Sequence, residues 1–475
     1  MRLHTSGITA MHCSVFVRHL GIALAAAGAM GLGADGTVQA SPITGSGLPV
    51  ATEQPSLGLT YLVRTNGPNV GDAGQVVLFA GGYAPGGFAV ANGQLLPINQ
   101  NQALFSQLGT TYGGDGINDF ALPNLSGRTV VGTGQGAGLA NRNLGSVAGA
   151  TTETLTAGEL PPFGGASGIT SGNQPLPTLQ PSLALNQGVV TRGLFPSPTG
   201  PEAQGPVIGQ VLTYAGSALP TGLVPASGAQ LPINQQQALF SLIGDTYGGN
   251  FPVTFAVPNL AGRAVTEAGA APGLTAQSLG ASAGAPSTTL TVANLPPQPL
   301  KLANGTMSIV GGGQAFSVQQ PSLAMHYIIA VQGMFPTMLG VVPDGIPFLG
   351  EISLYAGTLA PVGWDFADGQ ILSIAENPAL FSVIGDTFGG NGISTFALPN
   401  LVDRLAVGTG DGVILGEMFG RDLETLSFAQ LPTGYPASLA VANNVAEPSS
   451  GAIMLMGLLG LVYRRRHGCT GYKVV

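Results

Sequence analysis

Tyr112-Gly113-Gly114-Asp115-Gly116, followed by Asn118 and Asp119, gathers the residue types that cradle phosphate or ligate calcium. Glycines let successive backbone N–H groups face an anion, and alternating carboxylates and amides offer oxygen to a hard cation. The chain's own copies of this stretch argue against both chemistries. It returns as Tyr247-Gly248-Gly249-Asn250-Phe251 and Phe388-Gly389-Gly390-Asn391-Gly392, with Thr254 and Thr395 in place of Asp119. No copy has the Lys-Ser/Thr of a phosphate loop or the carboxylate set of an EF-hand. A tight turn that needs positive φ accounts for the glycines.

Other reactive residues are few. Acids such as Asp72, Asp115, Asp119, Glu153, Glu159, Glu202, Asp245 and Glu267 do not recur across the copies. Asp365, Asp368, Glu376 and Asp386 cluster in the third, which leaves open a glycan-degrading enzyme with a paired-carboxylate site in one unit only. His326 is the one histidine between the terminal segments, so neither a Ser/Cys–His nucleophile nor a His-based metal site is expected. His326 itself reads as a satisfied or exposed surface side chain. Cys13 and Cys469 lie in the terminal segments, so the body has no disulfide framework. Arg128, Arg263 and Arg404 are the only charges kept in all three copies, and they read as internal hydrogen-bonding anchors. The expectation is therefore no catalytic residue, no cofactor and no bound metal.

These residues sit on a repeat. Gly74 to Gly134, Gly209 to Gly269 and Gly350 to Gly410 superpose without a gap, with about half the positions alike. Each copy opens with a strand of alternating apolar residues and turns at Pro85-Gly86, Pro220-Thr221-Gly222 or Pro361-Val362-Gly363. Phe88, Leu223 and Trp364 follow, so the single Trp reads as a core filler. A short helix comes next, expected to be capped by Asn99, with Gln102 at the capping-box position and Gly109 closing it. Ala375 and Pro378 alter this pattern in the third copy and predict a shifted helix start.

Charged residues make up 8% of the chain against about a quarter in ordinary proteins, while apolar residues stand at 44%. With 75 Gly and 36 Pro the composition favours short strands and many turns. Fourteen Lys and Arg offer no basic stripe for nucleic acid. Arg18-His19, the apolar run Leu20 to Leu32 and the exit Val38-Gln39-Ala40 form a secretory signal peptide, starting at Met1 or Met11. At the other end Glu447-Pro448 leads into an apolar run closed by Arg464, Arg465 and Arg466. The thirteen residues from Gly451 to Tyr463 would reach only ~20 Å as a helix, against a ~30 Å hydrocarbon core. The arginines place that end on the cytoplasmic side.

This tail resembles the PEP-CTERM sorting signal of Gram-negative bacteria, although Ala446 stands where that pattern has its first Pro and Cys469 to Val475 extend past it. The resemblance implies a signal peptidase and an exosortase-like enzyme as partners, and membrane contact through the tail. The body resembles the phage tail collar domain, and more closely the microcystin-dependent proteins that carry it. Gly93-Gln94-Leu95-Leu96-Pro97-Ile98, Ala103-Leu104-Phe105-Ser106, Thr111-Tyr112-Gly113-Gly114-Asp115-Gly116 and Phe120-Ala121-Leu122-Pro123-Asn124-Leu125 carry the likeness. Family members often place His-x-His after the Leu-Pro that closes the domain. Here Pro162-Phe163, Pro297-Gln298 and Thr433-Gly434 stand there instead.

A second motif, Gln-Pro-Ser-Leu, begins at Gln54, Gln180 and Gln320, and Leu323, Met325, Tyr327, Ile329 and Val331 follow the last with a period of two. In single-unit relatives this strand closes the domain, which leaves the third unit without one and an orphan strand before the first. We expect the N-terminal strand to complete unit three and latch the units into an intramolecular pseudo-trimer. The alternative is a linear string in which each strand joins the segment after it.

The resulting reading is a mainly β, α+β chain of three tandem collar-like domains with short helices. A signal peptide (1–40) and an N-terminal segment (41–73) precede unit one (74–197), a linker (198–208) and unit two (209–337). A linker (338–349), unit three (350–433), a further linker (434–446) and the sorting tail (447–475) follow. The expected function is a non-enzymatic exported protein of the bacterial cell surface, outer membrane or extracellular matrix, anchored transiently or permanently. It would serve adhesion or assembly through a surface glycan or self-association.

Overall fold

Ser56–Arg64, rich in β-favouring Leu, Thr, Tyr and Val, forms a nine-residue strand (β1) in which every residue is buried. The computed structural model describes residues 50–66, 73–160, 176–197, 205–296, 298–301, 307–310, 313–338 and 346–431. The signal peptide and the sorting tail, with Glu447, Pro448, Arg464, Arg465 and Arg466, lie outside the described residues. So do the linker 434–446, Pro162-Phe163, Pro297 and Thr433-Gly434. The chain divides into two compact bodies. One consists of Met1–Thr44, Gln298–Ile309 and Pro436–Val475. Its described parts are Gln298–Lys301 and residues 307–309, which lie on the two strands of a two-stranded sheet. The other, Gly45–Pro297 and Val310–Tyr435, contains the three repeats.

After β1, unit one supplies β2 (Gln75–Phe79), β3 (Phe88–Val90), α1 (Gln102–Leu108), β4 (Thr129–Gly132) and β5 (Val147–Ala148). The long strand β6 (Ser182–Val190) leads to β7 (Gln210–Tyr214), β8 (Leu223–Pro225), α2 (Gln237–Ile243), β9 (Ala264–Glu267) and β10 (Ser282–Ala283). A third long strand, β11 (Ser322–Ala330), precedes β12 (Glu351–Tyr355), β13 (Trp364–Phe366), α3 (Pro378–Ile384), β14 (Leu405–Gly408) and β15 (Met418–Phe419). Among the described residues strands outnumber the three short α-helices, in keeping with the turn-rich composition.

Each long strand serves two units. In β6, Ser182–Leu185 lies parallel to β4 and also meets β5, whereas Asn186–Val190 runs antiparallel to β7 and β8. β11 divides in the same way between β9 and β10 on one side and β12 and β13 on the other. In β1, Ser56–Leu59 pairs with β14 and β15 of unit three, and Thr60–Arg64 pairs with β2 and β3 of unit one. Closing the unit before and joining the unit after therefore each describe half of a strand. Nine residues at ~3.3 Å each span ~30 Å, long enough for two sets of partners. Gly420 shows how closely β1 enters unit three: with φ +80°, a Cβ there would fall 1.9 Å from the Gln54 carbonyl oxygen.

The opening strands close a further ring of pairings, with Thr213 opposite Val76, Gln210 opposite Tyr355, and Glu351 opposite Phe79. The period of two in β11 predicts one covered face, but both are covered. Leu323, Met325, Tyr327 and Ile329 enter the main core, while Ile328 and Ala330 pack with Tyr355 and Trp364 on the other side. Trp364 is accordingly a core residue. A smaller core collects Leu155, Leu290 and Leu426 with Leu160, Leu295 and Leu431, residues that recur at matching places in the three units. Each fully buried Leu or Phe contributes on the order of 1.5–3 kcal/mol.

The helix starts need correcting. Asn99 is not a cap: it lies inside a 3-10 turn, Ile98–Gln100, and α1 begins three residues after it. Asn101 precedes the helix and donates its side-chain amide to the Pro97 carbonyl instead of accepting from the first turn. Gln102 is the first helical residue, not the far member of a capping box. The third helix is not shifted, because Pro378 occupies its first position, where a missing N–H costs nothing. Gly109 does close α1, at φ 54°.

Tyr112 donates its hydroxyl to Ala215 O of unit two at 2.7 Å, and Tyr247 donates to Ala356 O of unit three at 3.1 Å. Phe388 stands at the third such position and has no hydroxyl to give. We expect Phe388→Tyr to reach the equivalent Ala80 carbonyl and to raise stability by about 1 kcal/mol, read as a higher thermal midpoint. A lower midpoint would mean that the ring has no room for the added oxygen.

Candidate functional site

The long strands cross from unit to unit at three equivalent places, and the side chains there differ. In the pairing pattern, Asn186, His326 and Thr60 correspond, followed by Gln187, Tyr327 and Tyr61. The β-strand ends that face them are Gly132, Glu267 and Gly408. One scaffold position thus carries an amide, an imidazole and a hydroxyl at its three occurrences.

The junction between units two and three is the charged one. Glu267 ends β9 with its side chain 2% exposed, 2.7 Å from His326 Nδ1. The Tyr327 backbone N–H donates to its other oxygen. Loss of water around the carboxyl pushes it up to about 7, against the pull of His326 and the Tyr327 N–H, and the Asp368 charge adds to the rise. The His326 ring lies 4.7 Å from Phe366. His326 is thus largely buried and bonded, the satisfied alternative of the sequence reading. Asp365, on β13, is held above the usual carboxylate range by burial and then by Asp368. Glu376 and Asp386 flank α3 at opposite ends, ~10 Å of helix apart, whereas Asp368 lies near enough to Asp365 and Glu267 to act on both.

The three arginines hold the turns that precede β4, β9 and β14. Arg128 donates to Asn124 O and Ser126 O, Arg263 to Asn259 O, and Arg404 to Asn400 Oδ1 and Val402 O. Arg128 also lies 3.9 Å from Asp411, an exposed pair worth little by itself. Asp403, beside Arg404, takes φ 55° at the place of Gly127 and Gly262. Its carboxylate accepts from the Ala271 and Gln277 N–H groups of unit two, which offsets the strain.

The glycine-rich stretch is a turn. At Gly114, φ is +93°, and a Cβ would lie 2.4 Å from Phe120 Cα. Asp115 accepts from the N–H groups of Ile117, Asn118 and Asp119 and from the Asn118 side chain. Those bonds, led by the Asp119 N–H, hold its carboxyl well below the usual range. Asn391 accepts from three backbone N–H groups in the same way in unit three. These oxygens serve the turn itself, whose tips expose Ile117, Val253 and Ile393. The sequence reading missed those apolar tips and the Glu267–His326 pair. Lining up the three copies would have flagged the pair, since Glu267 stands where the others have Gly132 and Gly408.

A strand-rich body of three interlocked repeats, with its recurrent polar groups occupied in holding turns, defines a structural module. The Phage Tail Collar Domain family model matches residues 74–130, 209–265 and 350–406. The chain carries three tandem phage tail collar domains, which indicate a structural protein of the phage-tail, fibre-like type. No curated protein and no solved structure matches it.

Proposed function

We propose that this chain is an exported, non-enzymatic bacterial surface or matrix protein whose three collar domains form an intramolecular pseudo-trimer for adhesion or assembly. The observation that carries the reading is the cyclic sharing of strands, in which β1 lies between units three and one just as β6 and β11 lie between their neighbours. One chain thereby fixes three different junctions at one stoichiometry, which three identical copies cannot do. Export is supported by the leader pattern at 1–40, and anchoring or release by Glu447-Pro448 and the Arg464–Arg466 cluster. A monomeric mass in solution, attachment of the intact chain to bacterial surfaces or their glycans, and a native N-terminus at Ser41 are the expected results. A stable homotrimer would contradict the intramolecular assembly, and an uncleaved cytoplasmic protein would contradict export.

The raised Glu267 carboxyl beside His326 is the one feature that favours a glycan-degrading enzyme. Its 2% exposure argues against substrate contact. Polysaccharide turnover abolished by Glu267→Gln would establish the enzyme, and we expect no turnover.

A further inference from the structure

Ile393 and Ile117 are the most exposed large apolar side chains among the described residues, at 87% and 82%. They stand at equivalent places on the tips of the glycine turns of units three and one. Unit two has Pro252 there, flanked by exposed Phe251 and Val253. Phe251 stacks on Phe240 with ring centroids 6.2 Å apart, which holds the ring in place and still leaves it exposed. The turns do not need these side chains, since Asp115 and Asn391 hold the backbone N–H groups. Exposed Leu95 and Ile371 lie on the strands that pair with the outgoing arms of the same turns. Single surface hydrophobics are ordinary, but apolar groups that return at one place in three divergent copies, with polar groups around them, mark a contact surface.

The charges around the tips are all of one sign. Residues 93–123, 228–258 and 369–399 contain the acids Asp115, Asp119, Asp245, Glu376 and Asp386 and no Lys or Arg. All but Asp119 are exposed. In unit one the Ile117 N–H donates to Asp115 Oδ1 at 2.8 Å. In unit three Asp386 reaches the residue before Ile393, where a Cβ added to Gly392 would lie 2.9 Å from its Oδ2. A group that covers either isoleucine therefore meets a carboxylate at its edge. An anionic lipid surface and the acidic tips of a second copy are both repelled by this pattern. Lys or Arg beside an apolar side chain matches both halves of it.

We propose that the three tips are docking points for a basic amphipathic polypeptide segment of a partner, its apolar side chains on the tip residues and its Lys or Arg on the neighbouring acids. Three points on one chain strengthen one another through effective concentration. The surface gives the assembly reading a partner class, and rests on that reading only for where the partner is met. The test is fluorescence anisotropy of a labelled amphipathic Leu/Lys peptide with the full chain. We expect binding that weakens with added salt and falls about tenfold in the combined variant Ile117→Ser, Phe251→Ser, Ile393→Ser. Asp245→Asn with Asp386→Asn leaves every tip side chain in place, so it keeps the test available if the first variant does not fold. That variant should bind more weakly and lose part of the salt dependence. Equal affinity for a Leu/Glu peptide of the same pattern, or undiminished affinity in a folded variant, overturns the proposal. So does partition of the chain into phosphatidylcholine vesicles while the Leu/Lys peptide stays free. Surface attachment of the intact chain without peptide binding would remove this surface and leave the adhesion reading standing. Peptide binding without attachment would do the reverse.

Discussion

Leu57→Ala is expected to loosen unit three, and Leu62→Ala unit one, although both residues lie in a single strand within the N-terminal segment. Leu57 pairs with Ala406 of β14, and Leu62 with Val77 of β2. Their side chains are 1% and 0% exposed. Truncating a buried Leu to Ala costs about 2–5 kcal/mol. Hydrogen exchange should therefore show faster exchange at β14 and β15 in the first variant and at β2 and β3 in the second. Removing residues 50–66 altogether takes five large apolar side chains out of the main core: Leu57, Leu59, Tyr61, Leu62 and Val63. At ~2 kcal/mol each the loss is on the order of 10 kcal/mol, comparable to the whole stability of a typical domain. We expect the deletion to abolish cooperative unfolding of units one and three together. Exchange confined to unit one in all three variants would show that β1 does not hold unit three in solution.

The repeat, the strand-rich class and the turn role of the glycine stretch were legible because each is local and each is written three times. Comparing Asp115 with Asn250 and Asn391 favours a turn over a calcium loop, and the N–H groups of Ile117, Asn118 and Asp119 that Asp115 accepts from are the bonds of such a turn. The division of the long strands was only half legible. A period of two describes one face of β11, yet Ile328 and Ala330 are as buried as Ile329, because Tyr355 and Trp364 cover that end of the second face. The helix starts were misplaced because Asn99 in a 3-10 turn and Asn101 before α1 are the same residue type, two positions apart. Only the backbone geometry tells them apart. The junction chemistry escaped for a different reason. Glu267 and His326 are 59 residues apart, and only the parallel pairing of β9 with β11 brings them together.

That pair sets a sign for the pH dependence of stability. Glu267 is held at about 7 in the folded chain against an ordinary value of 4.5. Burial is the larger influence, so the folded protein keeps a proton there that the unfolded chain has released. The contribution is fully present below pH ~4.5 and is lost as pH rises through ~7, which at ~1.4 kcal/mol per decade amounts to about 3 kcal/mol. The groups facing Glu267 are His326 and Tyr327 from β11, Asp368 after β13, and Tyr247 from unit two's turn. Glu351 is also pushed up to about 7 by burial, opposed by Arg64, so the wild-type profile contains both acids. Glu267→Gln isolates the first. It keeps the acceptor for the Tyr327 N–H and never ionises, so its unfolding midpoint should match wild type near pH 4.5 and exceed it at pH 8. The opposite order at pH 8, with wild type the more stable, would mean that Glu267 and His326 form a net-stabilising ion pair. Attraction to the largely buried imidazole would then outweigh the cost of burying the carboxylate.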